Sequence, residues 1–291
     1  MRGGIPDLSV ILCTLNGGAT IRGQLDALLA QTTSRPFEVV VVDNGSTDDT
    51  PTVVAEYSAA DQRVRLVSAP DRHNLSYARN VGVAAAAAPA VAFCDDDDIV
   101  DSGWVNGLCD ALDTHPFVAS TLEYDRLNSP SQLVGRARFQ STTIERMFGI
   151  PVAGGVIGIT RSLWNSVGGN DEHFGATGED FDFAMRVFLE SGISPILAER
   201  AIYHCRLREG SARSFRQARR YGRSHAQLYS RHGKGRVSLR ENSVTAVRDW
   251  WWILSRAPLA LRSARRQNWA THLGRRIGRL QGSIAFRVLY L

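Results

Sequence analysis

The feature that most constrains this chain is a regular alternation, over its first 95 residues, of short apolar runs with segments of helical periodicity. The apolar runs are Leu8–Leu12, Phe37–Val42, Val64–Val67 and Ala90–Cys94. Apolar residues recur at helical spacing in Ile21–Leu29, and Tyr77–Ala88 is an alanine-rich segment that Pro89 follows. Strands that helices cover on both faces read as continuous apolar runs. The order therefore predicts an α/β fold with a doubly wound, mostly parallel sheet and right-handed crossovers.

In a sheet of this kind, ligands bind beyond the carboxyl ends of the strands. Polar residues follow three of the four apolar runs at that point. They are Thr14 and Asn16 after the first run, Asp43 after the second, and Asp95–Asp98 after the fourth. We therefore expect the chemistry of the protein to gather at this edge.

Asp43 begins a polar turn, DNGSTDDT, in which Gly45 permits a tight bend and Ser46 or Thr47 can cap the following helix. A turn and a helix cap account for these residues without any ligand. The functional alternative is that the carboxylate of Asp43 accepts a hydrogen bond from the base or ribose of a nucleotide.

The run Asp95–Asp98 places four carboxylates directly after a buried strand. An acidic run on a surface is usually only solvated. At the end of a buried strand, however, like charges this close destabilise each other unless a cation relieves them. Oxygen ligands suit Mg²⁺ or Mn²⁺, which proteins commonly hold with one or two carboxylates plus substrate phosphates. The run therefore favours a metal site.

Two further candidates lie in the second half of the chain. Asp180 stands in Gly178–Glu179–Asp180 at the start of a predicted helix, where acids stabilise the N-terminal turn. It could also act as a general base, if an acceptor hydroxyl lies within hydrogen-bonding reach. His204 follows a predicted strand; a lone histidine is more often structural, although its imidazole also suits Mn²⁺.

Charge divides the chain near residue 206. Residues 1–205 carry a net charge of −12, whereas residues 206–291 carry +17, from 19 arginines and Lys234 against three acids. Amphipathic pieces and the run Trp250–Trp252 favour a helical extension that lies on an anionic membrane surface. The alternative is that the tryptophans pack onto the rest of the chain. No nucleic-acid reader motif accompanies the charge, so nucleic acid is not expected as a partner.

The four cysteines form no CxxC pair, which favours reduced thiols inside the cell. Residues 1–20 do not read as a signal peptide, and no apolar run is long enough to span a bilayer. We therefore expect a cytoplasmic protein, peripheral at the inner face of the cell membrane.

Several motifs, in their order and spacing, resemble glycosyltransferase family 2, which has the GT-A fold. They are Ser9–Asn16 (SVILCTLN), Asp43, Asn74–Gly82 (NLSYARNVG), Phe93–Asp98 (FCDDDD), Gly154–Glu172 (GGVIGITRSLWNSVGGNDE), Gly178–Arg186 (GEDFDFAMR) and His204. The resemblance covers about residues 7–205. The family's opening turn usually reads Pro-x-Tyr-Asn, whereas Cys-Thr-Leu-Asn stands here, so only part of that motif is present.

The resemblance implies a role for each matching residue. It implies donor contacts from Thr14, Asn16, Asp43, Arg79, Asp95 and Asp96, a Mn²⁺ or Mg²⁺ ion on Asp97 and His204, an acceptor side at Gly154, Gly155 and Glu179, and Asp180 as the catalytic base. It also implies a catalytic domain over residues 1–205, of which 1–115 bind the nucleotide sugar and 116–205 the acceptor. An Arg-rich helical region, 206–291, then follows.

The reaction implied is an inverting transfer of a sugar from a nucleotide-diphosphate donor, most often a UDP-sugar in the family, to a hydroxyl of a glycan or lipid-linked acceptor. The setting implied is cell-envelope or polysaccharide synthesis. One alternative is a nucleotidyltransferase, which needs a basic glycine-rich loop after the first strand; Asn16–Thr20 (NGGAT) has no Lys or Arg. Another is a non-catalytic carbohydrate- or nucleotide-binding protein of the same fold, against which the intact Asp95, Asp97 and Asp180 argue.

Overall fold

The computed structural model describes residues 4–130, 132–133, 141–142, 144–174, 177–207, 210–258 and 263–290. Its first elements follow the predicted alternation. They are β1 (Leu8–Thr14), α1 (Ile21–Leu29), β2 (Phe37–Asp43), α2 (Thr50–Ala60), β3 (Val64–Ser68), α3 (Leu75–Ala85) and β4 (Ala90–Asp95). Each predicted apolar run is a strand, so this part of the fold prediction is confirmed.

The helix predicted at Tyr77–Ala88 occupies Leu75–Ala85 instead. It begins where the side chain of Asn74 accepts a hydrogen bond from the backbone N–H of Tyr77 over 3.2 Å. It ends before the alanine run does, because Ala86 is already extended, with ψ of 139°. High helix propensity at residues 86–88 is therefore overridden by the turn that leads into β4.

The following elements complete the sheet. They are β5 (Ile99–Val100), α4 (Trp104–Leu112), β6 (Phe117–Glu123), β7 (Ser141–Thr142), β8 (Ile144–Met147), β9 (Ile150–Ala153), β10 (Ile157–Thr160), α5 (Arg161–Ser166), α6 (Glu179–Ser191) and β11 (Ile196–His204). The main sheet has the order β3-β2-β1-β4-β10-β6-β11-β5, with β7 paired to β6, and β8 and β9 form a separate hairpin. Strands from the two predicted halves thus lie in one sheet, because β10 enters between β4 and β6.

Helices cover both faces of this sheet. One apolar cluster packs α1, α2 and α4 against it, and a second cluster packs α3, α5 and α6 against the opposite face. The long pairings among β1, β2, β3 and β4 are parallel, as is that of β6 with β11, whereas β10 pairs antiparallel with both its neighbours. The predicted doubly wound, mostly parallel sheet is therefore confirmed.

The C-terminal region is helical, as predicted. It consists of α7 (Ser211–Leu228), a π-helical turn (Tyr229–Gly233), α8 (Leu239–Arg256) and α9 (Ser263–Ala285). The backbones of α7 and α9 touch, since a Cβ added to Gly222 of α7 would lie 2.0 Å from the carbonyl oxygen of Arg275 in α9. Within the part of the chain that the structure describes, no helix combines the length and apolar character that crossing a bilayer requires.

Candidate active site at the carboxyl edge of the sheet

Three strands of the sheet end in register at its carboxyl edge. Thr14 of β1 lies opposite Asp43 of β2, and Cys13 of β1 lies opposite Asp95 of β4. Parallel pairing fixes this alignment, because all three strands run in the same direction. The predicted polar residues after these strands are therefore brought together at one edge.

Asn16 ties the loop after β1 to the turn after β2. Its backbone has φ of 57°, a left-handed conformation that asparagine tolerates better than most residues. Its side-chain oxygen accepts a hydrogen bond from the N–H of Thr47 over 2.8 Å, and its own N–H donates to Oγ of Ser46 over 2.8 Å. Asp43 is buried and accepts from the N–H of Ser46 over 3.0 Å. These two predicted donor-binding residues thus shape the loop pair in which a nucleotide base would lie.

Thr14 connects the first strand to the acidic run. Its hydroxyl donates to Oδ2 of Asp96 over 2.5 Å. Gly17 leaves space for this contact, since a Cβ there would lie 2.0 Å from the same oxygen. Burial raises the pKa of the Asp96 carboxyl to about 6, although the Thr14 hydrogen bond lowers it.

The acidic cluster consists of Asp95, Asp97 and Asp98, which each offer a carboxylate oxygen within 4.8 Å of the others. Tyr203 of β11 holds this cluster together, because its hydroxyl accepts from the N–H of Asp95 over 2.9 Å and also hydrogen-bonds Asp98. Burial raises the pKa of Asp98 to about 8, and the charges of Asp95 and Asp97 add to that effect. Negative charge is therefore crowded here and only partly compensated.

This oxygen-only donor set fits a hard divalent cation. Asp95, Asp97 and Asp98 would hold such an ion, because Mg²⁺ and Mn²⁺ are commonly bound by one or two carboxylates together with waters and substrate phosphates. A cation would also relieve the repulsion that raises the pKa of Asp98. Asp98 was not among the metal ligands expected from the sequence; the four-residue acidic run was the signal that could have found it.

The structure does not bring His204 into the acidic cluster. Successive side chains of a strand point to opposite sides, so His204 turns away from the cluster that the preceding Tyr203 contacts. Its Nδ1 lies 2.5 Å from Oε2 of Glu123, and its Nε2 lies 3.0 Å from Nη1 of Arg126. Its Nε2 also lies 3.4 Å from Oδ2 of Asp101. His204 is therefore outside the acidic cluster, and its expected role as a metal ligand stays a prediction.

Arg79 of α3 lies between the acidic cluster and the start of α6. Its Nη1 donates to Oε1 of Glu179 over 3.1 Å, and its guanidinium packs on the ring of Phe93 at 5.4 Å. Burial would lower the pKa of Arg79, but Glu179, Asp95 and Asp180 raise it, so the side chain stays charged. The structure therefore places Arg79, which was expected to contact the donor, between Asp95 and the Glu179–Asp180 pair.

Asp180 and the acceptor-side glycines surround that arginine. Gly154 and Gly155 form the bend between β9 and β10, and a Cβ on Gly155 would lie 2.8 Å from Nη2 of Arg79 and 3.9 Å from Oδ2 of Asp180. Burial raises the pKa of the Asp180 carboxyl, while the charge of Arg79 lowers it. A half-buried carboxylate with a raised pKa has the properties of a general base.

The C-terminal helices reach this cleft, which the sequence did not indicate. Asp182, two residues after Asp180, is buried and accepts from Nε2 of His232 over 2.8 Å and from Nε of Arg186 over 2.9 Å. Thr177 donates to Oγ of Ser224 in α7 over 3.1 Å. Only contacts between distant segments reveal this arrangement, because the partners in the C-terminal region, His232 and Ser224, stand in no motif.

Two family models match the chain. The model of Glycosyl transferase family 2 matches residues 9–159, more than half of the sequence, and that of Glycosyl transferase family group 2 matches residues 90–271. Among curated proteins, succinoglycan biosynthesis protein ExoO of Rhizobium meliloti is 38% identical over 96 residues, which is 33% of this chain and 27% of that protein. Validoxylamine A glucosyltransferase of Streptomyces hygroscopicus subsp. jinggangensis is 42% identical over 93 residues, 31% of this chain and 22% of that protein. This chain thus spans about a quarter of the length of these relatives.

Solved structures share the fold along almost the whole chain. Mannosyltransferase PcManGT from Pyrobaculum calidifontis, in complex with GDP-Man and Mn²⁺, has a TM-score of 0.64 at 18% identity and covers 95% of this chain and 87% of its own. S. aureus TarS 1–349, in complex with UDP-GlcNAc, has a TM-score of 0.55 at 21% identity, with 98% and 93% covered. These likenesses confirm the GT-A fold with its helical C-terminal region. With this fold, and a family model that matches more than half of its residues, the chain belongs to glycosyl transferase family 2.

Proposed function

We propose that this glycosyltransferase moves a sugar, with inversion at the anomeric carbon, from a nucleotide-diphosphate donor to a hydroxyl of a glycan or lipid-linked acceptor. The observation that carries the proposal is the position of Arg79, whose buried charge interacts with both Asp95 of the acidic cluster and Asp180. One buried guanidinium between the two carboxylates supports a common site for the proposed metal and the proposed base. Structures of similar fold contain GDP-Man with Mn²⁺ or UDP-GlcNAc, which supports a nucleotide-sugar donor.

The loop after β1 argues against the nucleotidyltransferase alternative. A triphosphate needs cations around it, but this loop is surrounded by carboxylates. The N–H of Gly18 donates to Oδ2 of Asp48 over 3.2 Å, and Gly17 lies against Asp96. A neutral ribose or base fits such a loop better than three phosphates do. We therefore assign this edge to the nucleoside of the donor, with a UDP-sugar as the first candidate.

We assign a Mn²⁺ or Mg²⁺ ion to Asp97, with Asp95 and Asp98 beside it. Such an ion acts as a Lewis acid that neutralises the charge developing on the leaving diphosphate. Tyr203 positions two of the three carboxylates through its hydroxyl. Asp96, whose carboxylate accepts from Thr14, links the ion's loop to the nucleoside loop.

Asp180 is the proposed base. Its carboxylate takes the proton of the acceptor hydroxyl as the acceptor oxygen forms a bond to the anomeric carbon and the bond from that carbon to the diphosphate oxygen breaks. Attack from the face opposite the diphosphate inverts the configuration. Proton transfer of this kind is worth roughly 10²–10⁴-fold in rate. Glu179, Gly154 and Gly155 then form the acceptor side of the cleft.

An exposed apolar face on α8 supports attachment to an anionic membrane. Val244, Val247, Trp251 and Leu254 recur at helical spacing, and the last three are 67–70% exposed. Arg240 and Arg248 are exposed on the same helix. Aromatic and aliphatic side chains flanked by arginines suit the interface of an anionic bilayer, where each basic residue adds about 1 kcal/mol. We therefore infer an acceptor presented at a membrane, in envelope or polysaccharide synthesis.

A thermal-shift screen of nucleotide sugars with Mn²⁺ or Mg²⁺ tests the proposed function. A ligand that binds only the folded state raises its stability by mass action, so the correct donor raises the melting temperature in the presence of the ion. Release of the nucleoside diphosphate from that donor would then establish turnover and exclude a non-catalytic binding protein. The proposal is wrong if no nucleotide sugar or nucleoside diphosphate shifts the melting temperature with either ion.

A further inference from the structure

A cavity of about 370 Å³ separates the acidic cluster from the C-terminal helices α7 and α9. The three carboxylates of the cluster line one wall, and Arg275 of α9 lines the opposite wall. Helix α9 is held in this position by α7, because Gly278 lies so close to α7 that a Cβ there would be 2.0 Å from the carbonyl oxygen of Arg219. The cavity is therefore a fixed part of the cleft. One of its walls comes from the edge of the sheet and the other from the C-terminal helices.

The wall opposite the carboxylates carries polar side chains. Gln267, Thr271 and Arg275 follow one another at intervals of four residues, which places them on one face of α9, and all three line the cavity. The hydroxyl of Thr271 donates to the backbone carbonyl of Gln267 over 2.9 Å, so Arg275 supplies the charged donor of this wall. Arg206 adds a second guanidinium from the catalytic side. Its Nε donates to the backbone carbonyl of Asp97 over 3.0 Å, and its N–H donates to Oδ1 of Asp98 over 2.5 Å, so it is anchored beside the acidic cluster.

The acidic oxygens and the Arg206 guanidinium lie on one wall, and the Arg275 guanidinium lies on the other, so the cavity suits a ligand that satisfies both kinds of group. A phosphate does so, because its oxygens can bind a divalent ion on the carboxylate side and accept paired hydrogen bonds from arginine on the other. We propose that Arg206 and Arg275 form a phosphate-binding site, to which α9 contributes Arg275, in the active-site cleft. This inference rests on the proposed function and deepens it, since it makes the Arg-rich region part of the substrate site.

Two substrates could supply the phosphate: the diphosphate of the donor, or a phosphate group carried by the acceptor. A second cavity, of about 510 Å³, lies on the α1 side of Arg206 and is lined by Thr20, Asp97 and Arg213 among others. The donor, whose nucleoside lies at the ends of β1 and β2, reaches Arg206 from that side. Arg275 lines the first cavity, on the side of Arg206 away from the donor. This position favours an acceptor phosphate as the ligand of Arg275.

Calorimetry on the full chain with Mn²⁺ separates these sources. One arm titrates UDP; the other titrates glycerol 3-phosphate into protein saturated with Mn²⁺ and UDP. The variants are Arg275→Gln, which removes the charge, and Arg275→Lys, which keeps it. Arg216→Gln is the matched control, because Arg216 is exposed on α7 and does not line the cavity. Arg275 is itself exposed, so its substitution leaves the fold intact.

We expect Arg275→Gln to lower the affinity for at least one probe by about tenfold or more. Arg275→Lys should recover part of that loss, and the control should change neither affinity. Loss confined to glycerol 3-phosphate assigns the site to the acceptor, and loss confined to UDP assigns it to the donor. Equal affinity of Arg275→Gln and the unaltered protein for both probes overturns the inference. If the unaltered protein does not bind UDP, glycerol 3-phosphate is titrated with Mn²⁺ alone. Binding in that titration means that the proposed donor is wrong and the phosphate site stands, whereas binding of neither probe refutes both.

Discussion

The Nη1 atom of Arg79 donates a hydrogen bond to Oε1 of Glu179 over 3.1 Å, and both side chains are almost completely buried. The contact joins α3, which packs on the first strands of the sheet, to α6, which carries Asp180. Oε2 of Glu179 has no hydrogen-bond partner among the described residues. The positive charge of Arg79 therefore offsets the repulsion between the neighbouring carboxylates of Glu179 and Asp180.

Replacing Arg79 with methionine should destabilise the fold and reduce transfer. Removal of one partner from a buried ion pair leaves an uncompensated charge and costs about 3–5 kcal/mol. Denaturant titration should show a fall of that size in the free energy of unfolding. Glu179→Gln in the same chain should recover part of the loss, and a double mutant whose loss equals the sum of the single losses would contradict the coupling.

Asp180→Asn should keep donor binding and lose most transfer. The amide has nearly the same shape as the carboxylate but cannot accept the acceptor's proton, so we expect kcat to fall by roughly 10²–10⁴-fold. Calorimetry with UDP and Mn²⁺ supplies the binding control, and its dissociation constant should stay close to that of the unaltered protein. Turnover that survives the substitution unchanged would refute the role of Asp180.

The rate of transfer should fall when the pH is lowered, and at a higher pH than an exposed aspartate would cause. Burial raises the pKa of Asp180 above its ordinary value of 3.8, against the lowering effect of Arg79. A base must be ionised to accept a proton, so kcat/KM declines as the pH falls through the raised pKa. A pH–rate profile checks this, and an inflection at or below 3.8 would contradict it.

Stability should change with pH in the opposite direction. Burial and the neighbouring Asp180 raise the pKa of Glu179 from 4.5 to about 7. Between these values the folded chain holds a proton that the unfolded chain has released, so the free energy of unfolding falls as the pH rises and levels off above about 7. Denaturant titrations across this pH window should show that the free energy of unfolding falls less steeply with pH in Glu179→Gln than in the unaltered protein. Identical slopes would rule out Glu179 as the group responsible.

Metal-dependent donor binding should require Asp97 and not His204. Asp97→Ala removes a carboxylate of the acidic cluster, whereas His204→Gln preserves a donor toward Glu123 and leaves the cluster untouched. The affinity for UDP is measured once in the presence of Mn²⁺ and once in the presence of a chelator. The difference between the two values is the metal-dependent part of the affinity. We expect that part to vanish in Asp97→Ala and persist in His204→Gln. Its loss in His204→Gln would restore the ligand set expected from the sequence.

The strands and the catalytic edge could be predicted because local pattern determines them. Apolar runs specified β1 to β4, and parallel pairing then brought Thr14, Asp43 and Asp95 to one edge. The position of Arg79 could not be predicted, since its partner Glu179 is 100 residues away. The same holds for Tyr203, whose contact with Asp95 depends on how β11 joins the sheet.

The helical character of residues 206–291 was predicted, but the packing of α9 against α7 was not, for a physical reason. Its contact with α7 is made largely by glycines at positions 222, 274 and 278, where backbone meets backbone. Close packing of this kind leaves no wide apolar stripe, and glycine lowers helix propensity. The arginines that remain were interpreted as a membrane-facing surface, whereas Arg275 lines the cleft and Arg276 is buried beside Asp249 of α8.

The outer face of α8 should bind anionic membranes through its apolar stripe. Trp251 and Leu254 are exposed, while Trp252 stacks on His272 of α9 at 4.0 Å and so cannot reach a bilayer as freely. Burial of a large apolar side chain is worth about 1.5–3 kcal/mol, so serine at 251 and 254 should weaken vesicle binding at least tenfold. Flotation with phosphatidylglycerol vesicles at low salt measures this, and Leu189→Ser, an exposed leucine of α6, is the matched control. Because arginine attraction is screened by salt, binding should also weaken as salt is added. If the unaltered protein remains in the bottom fraction of the gradient at low salt, α8 faces something other than lipid.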